Sequence, residues 1–154
     1  MRVLSIGIVV GMVGVMVLGF IGGAFAVEPH ESPADARQRL VLAPAPRDMI
    51  LAEMRRMLSS VGGILQGLTS GNLPAAEKAA RESGMGGAID ANPHMTTLLP
   101  QPFLELGIHT HRGFDILADQ IHAGAAQADI IRNLAKLTGN CVACHAAYRL
   151  DEAR

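Results

Sequence analysis

The 154-residue chain has no tryptophan, one tyrosine and four phenylalanines, two of these within the first 26 residues. With so few rings, a core has to come from Leu, Ile, Met and Ala, residues that favour helices. Strand-like alternation of apolar and polar residues is also missing, so no strand is expected. A basic patch is missing too. The formal net charge is -1, and without Arg2 12 basic residues face 14 acidic ones. That balance argues against nucleic acid and anionic membrane surfaces as partners. There is no nucleophile elbow and no zinc-protease spacing, and the glycines of 84–87 lack the Lys-Ser/Thr ending of a phosphate loop. An enzyme is not expected.

Cysteine is scarce but placed with purpose. The two cysteines, Cys141 and Cys144, stand in the stretch Asn140–Leu150, NCVACHAAYRL, with His145 directly after the second. Cys-x-x-Cys-His is the spacing of c-type haem attachment. Two thiols three positions apart can each add to one vinyl group of a porphyrin, and the adjacent imidazole can bind its iron. A thioredoxin-like pair would need a strand-to-helix setting in a βαβ unit, which this sequence does not offer. A structural zinc site would need a second ligand pair. A disulfide across so short a helical spacing would be strained.

The first 26 residues have a charged start, an apolar run from Val3 to Gly23 broken by Ser5, and the ending Ala24-Phe25-Ala26. This pattern predicts a secretory signal cut after Ala26, with an uncleaved membrane anchor as the alternative. Both place the remainder outside the cytoplasm, in the periplasm, where haem attachment belongs. The mature chain is long enough for one domain. Residues 27–45 hold Pro29, Pro33 and Pro44 and read as an extended lead-in, with a helical turn or two between Ala34 and Leu42. Residues 46–154 read as the folded body.

Within that body, Ile50, Met54, Met57 or Leu58, Val61, Leu65 and Leu68 recur at three- and four-residue steps. They predict a long first helix from Pro46 to a stop at Gly71, with Arg47, Glu53, Arg55 and Arg56 mainly off its apolar stripe. Asn72 caps a second, Ala-rich helix ending near Ser83. An irregular link with Asn92-Pro93 follows, with room for one further helical turn. A third helix opens at Pro100 and Pro102, carries Phe103, Leu106, Thr110, Phe114, Leu117 and Ile121 on one face, and stops at Gly124. A fourth runs from Ala126 through Leu134, Leu137, Cys141 and Cys144 to Tyr148, so the attachment motif lies on its apolar face. The resulting fold class is all-α, an antiparallel four-helix bundle.

Four helices with Cys141-Val142-Ala143-Cys144-His145 at the end of the last, followed by Tyr148-Arg149, resemble the cytochrome c′ superfamily over about residues 46–150. The resemblance implies haem c bound covalently near the C-terminus, through thioethers at Cys141 and Cys144. It implies His145 as axial ligand and Arg149 beside the haem. It also implies a periplasmic monohaem c-type cytochrome. Members with a Met from the first helix over the iron carry electrons; members with an apolar residue there stay five-coordinate and bind nitric oxide or other small gases.

Here the window holds Leu51, Met54, Met57 and Leu58. Met54, central on the stripe, is the expected second ligand, with Met57 as the fallback. One-electron transfer to a transient redox partner protein is the expected function and gas binding the alternative. A homodimer through the first helix is possible. Among the other candidates, His109 and His111 lie two residues apart on a helix and cannot share one ion. His111 is a candidate for a bond to a haem propionate, to the iron or to another helix, or for an ordinary boundary histidine. His30, His94 and His122 carry no such argument. Met85 and Met95 are loop-borne ligand candidates.

Overall fold

The computed structural model describes residues 35–88 and 92–153; the expected signal and residues 27–34 of the lead-in lie outside the described residues. The described chain is mostly helical. Its elements are strand β1 (Gln38–Leu42), helices α1 (Pro44–Thr69), α2 (Leu73–Arg81), α3 (Pro93–Thr96), α4 (Gln101–His122) and α5 (Gln127–Ala147), and strand β2 (Tyr148–Glu152). No helix among the described residues is long and apolar enough to cross a membrane.

Local chemistry explains the helix ends. Prolines stand in the first turn of α1, where their missing N–H is not needed. The chain leaves α1 through Gly71 in the left-handed region (φ 71°), a conformation that costs a residue without Cβ little. Asn72 then caps α2, its side-chain oxygen accepting from Ala75 N at 3.1 Å. Asn92 caps the single turn α3 in the same way, through His94 N at 2.9 Å. Gly124 (φ 72°) makes the corner between α4 and α5.

Helix α1 packs along α2, α2 along α4 and α4 along α5. Close approach of α1 and α2 depends on Gly67, where a Cβ would stand 2.7 Å from Ala76 N. One core joins α1, α2, α4 and α5 and includes Ile64, Leu68, Ala80, Phe114, Ile130 and Leu134. A second lies at the other end and gathers Leu40 and Leu42 of β1 with Ile50, Met95, Leu99, Phe103 and Leu104.

The sheet corrects the sequence reading, which expected no strand and a helical turn between Ala34 and Leu42. Strand β1 pairs in parallel with β2, Leu40 opposite Leu150. Along β1, Leu40 and Leu42 are buried while Val41 between them is 54 % exposed, a two-residue period that a helix cannot produce. Five residues are too few to announce that period, and the pairing strand lies more than a hundred residues away. Parallel strands need a crossover connection, and here the whole helical body supplies it. The fourth helix correspondingly stops at Ala147, and Tyr148 is already extended.

The apolar stripe of α1 also differs from the expected one. Its buried line is Ile50, Glu53, Ser60, Ile64, Gly67 and Leu68. Leu58 and Leu65, expected on the stripe, are exposed.

Candidate functional site

Helices α1 and α5 scarcely touch. Between them, and bounded also by α4, lies a cleft of about 520 Å³. That volume lies within the range of about 300–1,000 Å³ usual for ligand and cofactor sites. From α1 it is lined by Leu51, Met54, Met57 and Val61, from α4 by Phe103, Leu106, Gly107 and Thr110, and from α5 by Cys141, Val142, Cys144 and His145. Its rim carries the two most exposed large apolar side chains among the described residues, Leu58 and Val142.

The α-helical period explains why the α5 residues converge. Positions i, i+3 and i+4 share a face, so 141, 144 and 145 point to the same side. Neither cysteine is in a disulfide, and both are half-buried. Desolvation by burial pushes the Cys141 thiol above its ordinary pKa. His145 is exposed at the rim. Cys144 and Met54 pack against the same core, the one built on Leu40 and Leu42.

A smaller lobe of about 260 Å³ adjoins the cleft and shares Leu51, Met54, Phe103, Cys144 and His145 with it. Its other walls bring Arg37, Arg47 and Arg149 together from three separate segments. Arg37 hydrogen-bonds Asp35 at 2.7 Å and reaches the His145 carbonyl oxygen at 3.4 Å, a cation at a helix C-terminus. Those bonds to Arg37 hold the Asp35 carboxyl well below the usual carboxylate range. Arg149 also reaches Asp35, at 3.3 Å.

The Nε atoms of Arg47 and Arg149 are buried and make no hydrogen bond to the described residues. A buried donor without an acceptor costs about 1–3 kcal/mol. Two such guanidinium donors beside one lobe fit an anionic group of a bound molecule.

The other sequence candidates separate from this site. Met95 is sealed in the second core, and Met85 sits in the turn after α2, where its N–H donates to Asp115 at 2.9 Å. His94 and His109 are exposed, and His122 pairs on the surface with Glu77 at 3.0 Å. His30 lies outside the described residues. His111 is no boundary histidine. It is fully buried, with Nδ1 donating to the Ser83 carbonyl oxygen at 2.7 Å and Nε2 standing 3.2 Å from Glu53 Oε1.

Glu53, expected off the stripe, is 3 % exposed and lines the cleft. Arg56 donates to it at 3.0 Å and to the Gly87 carbonyl oxygen at 2.7 Å. The signal for Glu53 was its place three residues after Ile50 and seven before Ser60, a helical spacing that charge alone hides. Comparison with protein-family models, with curated proteins and with solved structures finds no match to this chain.

Proposed function

We propose that this chain is an exported monohaem c-type cytochrome, an antiparallel four-helix bundle of the cytochrome c′ kind, that carries single electrons. The observation that supports it best is the cleft itself. Cys141, Cys144 and His145, the residues of the attachment motif, line one apolar space, with Met54 on another of its walls.

The residues fit the group. Cys141 and Cys144 would form the thioethers, and His145 would be the axial ligand. Met54 would be the second ligand, because it lines both lobes, whereas Met57 lines only the larger. Haem supplies an iron that cycles between two oxidation states, and a thioether ligand favours the reduced one. Leu51, Phe103 and Leu106 exclude water from the ring. Arg47 and Arg149 would offer to the propionates their Nε donors, which make no hydrogen bond among the described residues, although Asp151 stands 3.9 Å from that of Arg149. The exposed rim at Leu58 and Val142 leaves one edge open to a transient redox partner.

A second reading rests on Leu51, which also lines both lobes. If Leu51 rather than Met54 faces the iron, the site is five-coordinate and takes small neutral gases such as nitric oxide. Optical spectra decide between the two. A low-spin ferrous protein that resists carbon monoxide supports the carrier, and a high-spin one that shifts on adding the gas supports the sensor. Arg149→Gln should weaken propionate binding and shift the midpoint potential, while a potential equal to that of the parent protein would remove Arg149 from the site.

A further inference from the structure

Glu53 is a carboxylate in an apolar cleft, one residue before the proposed ligand Met54. Burying such a group is expensive unless it is held by partners of opposite character. It has the Arg56 guanidinium from its own helix at 3.0 Å and, from α4, the His111 ring, whose Nε2 stands 3.2 Å from Oε1; with Nδ1–H already given to Ser83, ring and carboxylate meet here over one shared proton. The ring cannot swing away. Its Nδ1 donates to the Ser83 carbonyl oxygen, and Ser83 is tied to α1 again through its hydroxyl, 2.8 Å from that of Ser60. Arg56 fastens the same turn at Gly87.

Helices α1 and α4 do not pack broadly against each other, and at their Glu53 and Thr110 ends both line the cleft. The contact of Glu53 with His111 spans them at the cleft wall, beside Thr110. Sliding or rotating α1 there would break two buried polar contacts at once. Met54 follows Glu53 directly on the same helical turn, so whatever fixes Glu53 also fixes the direction in which the Met54 thioether enters the cleft.

We infer that His111 is a positioning residue for the sixth ligand: by clamping Glu53 from α4, it sets the α1 register that presents Met54 to the iron. The inference rests on the haem reading above and adds to it a residue that touches neither haem nor iron. A site held by supporting contacts of this kind loses ligation when they are removed, even with the ligand in place.

The test uses haem-loaded protein. The ferric parent should be low-spin, and Met54→Leu should make it high-spin. His111→Leu keeps the core apolar and removes the clamp. It should move the balance between bound and released Met54 by about tenfold or more, equivalent to about 1.4 kcal/mol, seen as high-spin ferric haem and faster carbon monoxide binding. His111→Gln, whose amide can still donate to the carboxylate, should restore most of the low-spin signal. Ile121→Val, which trims the core at the far end of α4, should lower stability and leave the spectrum unchanged.

A folded His111→Leu protein with the parent spectrum would overturn the inference and leave the haem reading standing. Should His111→Leu not fold, Glu53→Gln decides in its place: a shift in the same direction supports the clamp, and an unchanged spectrum overturns it. A parent protein without haem, or one indifferent to Met54→Leu, defeats the ligation on which the inference rests.

Discussion

Leu40→Ala is the sharpest test of how this fold closes the end that holds the cleft. Leu40 is 5 % exposed and packs in the core that also holds Phe103 and Met95 and touches Met54 and Cys144. The substitution removes three carbons, about 2.4 kcal/mol of transfer free energy at about 0.8 kcal/mol per buried group. The cavity left behind adds to this, and measured Leu→Ala losses in cores run from about 2 to 5 kcal/mol. Against a total stability of about 5–15 kcal/mol for a domain, this is a large share.

The neighbouring Val41→Ala removes apolar carbons from a side chain already 54 % exposed and should cost under about 1 kcal/mol. Urea unfolding of the two variants, with amide exchange of residues 38–42 and 148–152, gives both numbers. Equal losses at Leu40 and Val41 would refute the strand, since only a two-residue period separates their fates. A helical turn over 34–42 would remain as the alternative.

The same substitution at two glycines of α1 should act in opposite directions. Gly62→Ala meets nothing within 4 Å and should stabilise by about 0.5–1 kcal/mol, whereas Gly67→Ala drives a methyl to 2.7 Å from Ala76 N and should cost about 1–3 kcal/mol; thermal melts would show both. In haem-free protein at about pH 8.5, near the ordinary thiol pKa, Cys141 should alkylate more slowly than in urea, because burial raises its pKa and leaves less thiolate. Equal rates would mean the thiol is not shielded. Asp35 titrates below the usual carboxylate range, so its tie to Arg37 is present above the ordinary carboxyl pKa and is lost as pH falls through the lowered one. Amide exchange at residues 37–40 of Asp35→Asn should therefore vary less with pH across the acid range than in the parent.

Much of the helical plan was legible because it is written locally. The cap at Asn72, the stops at Gly71 and Gly124, and the prolines opening α1 and α4 each act through their own neighbours. Residues whose role depends on distant partners were not legible. Leu40 and Leu42 look like a fragment of a loop until β2 is beside them, and Glu53 looks like solvent-facing charge until His111 arrives from α4. The exact face of α1 suffered likewise. Leu65 and Ile64 are adjacent and equally apolar, and only the approach of α2 decides that Ile64 is buried and Leu65 exposed. At the site, the clustering of Cys141, Cys144 and His145 followed from helical spacing. The arginine cluster did not: Arg149 was expected at the site only through the family resemblance, and Arg37 and Arg47 come from separate segments that meet it only in the fold.

The central claim is a covalent bond between α5 and a porphyrin, and intact mass under denaturing acid measures it most directly. Chain produced in a host competent for c-type maturation should carry the mass of one haem, retained after acidified acetone and lost when Cys141 and Cys144 are both changed to Ser. A mature chain of bare polypeptide mass, alongside a c-type control loaded in the same cells, would contradict the account.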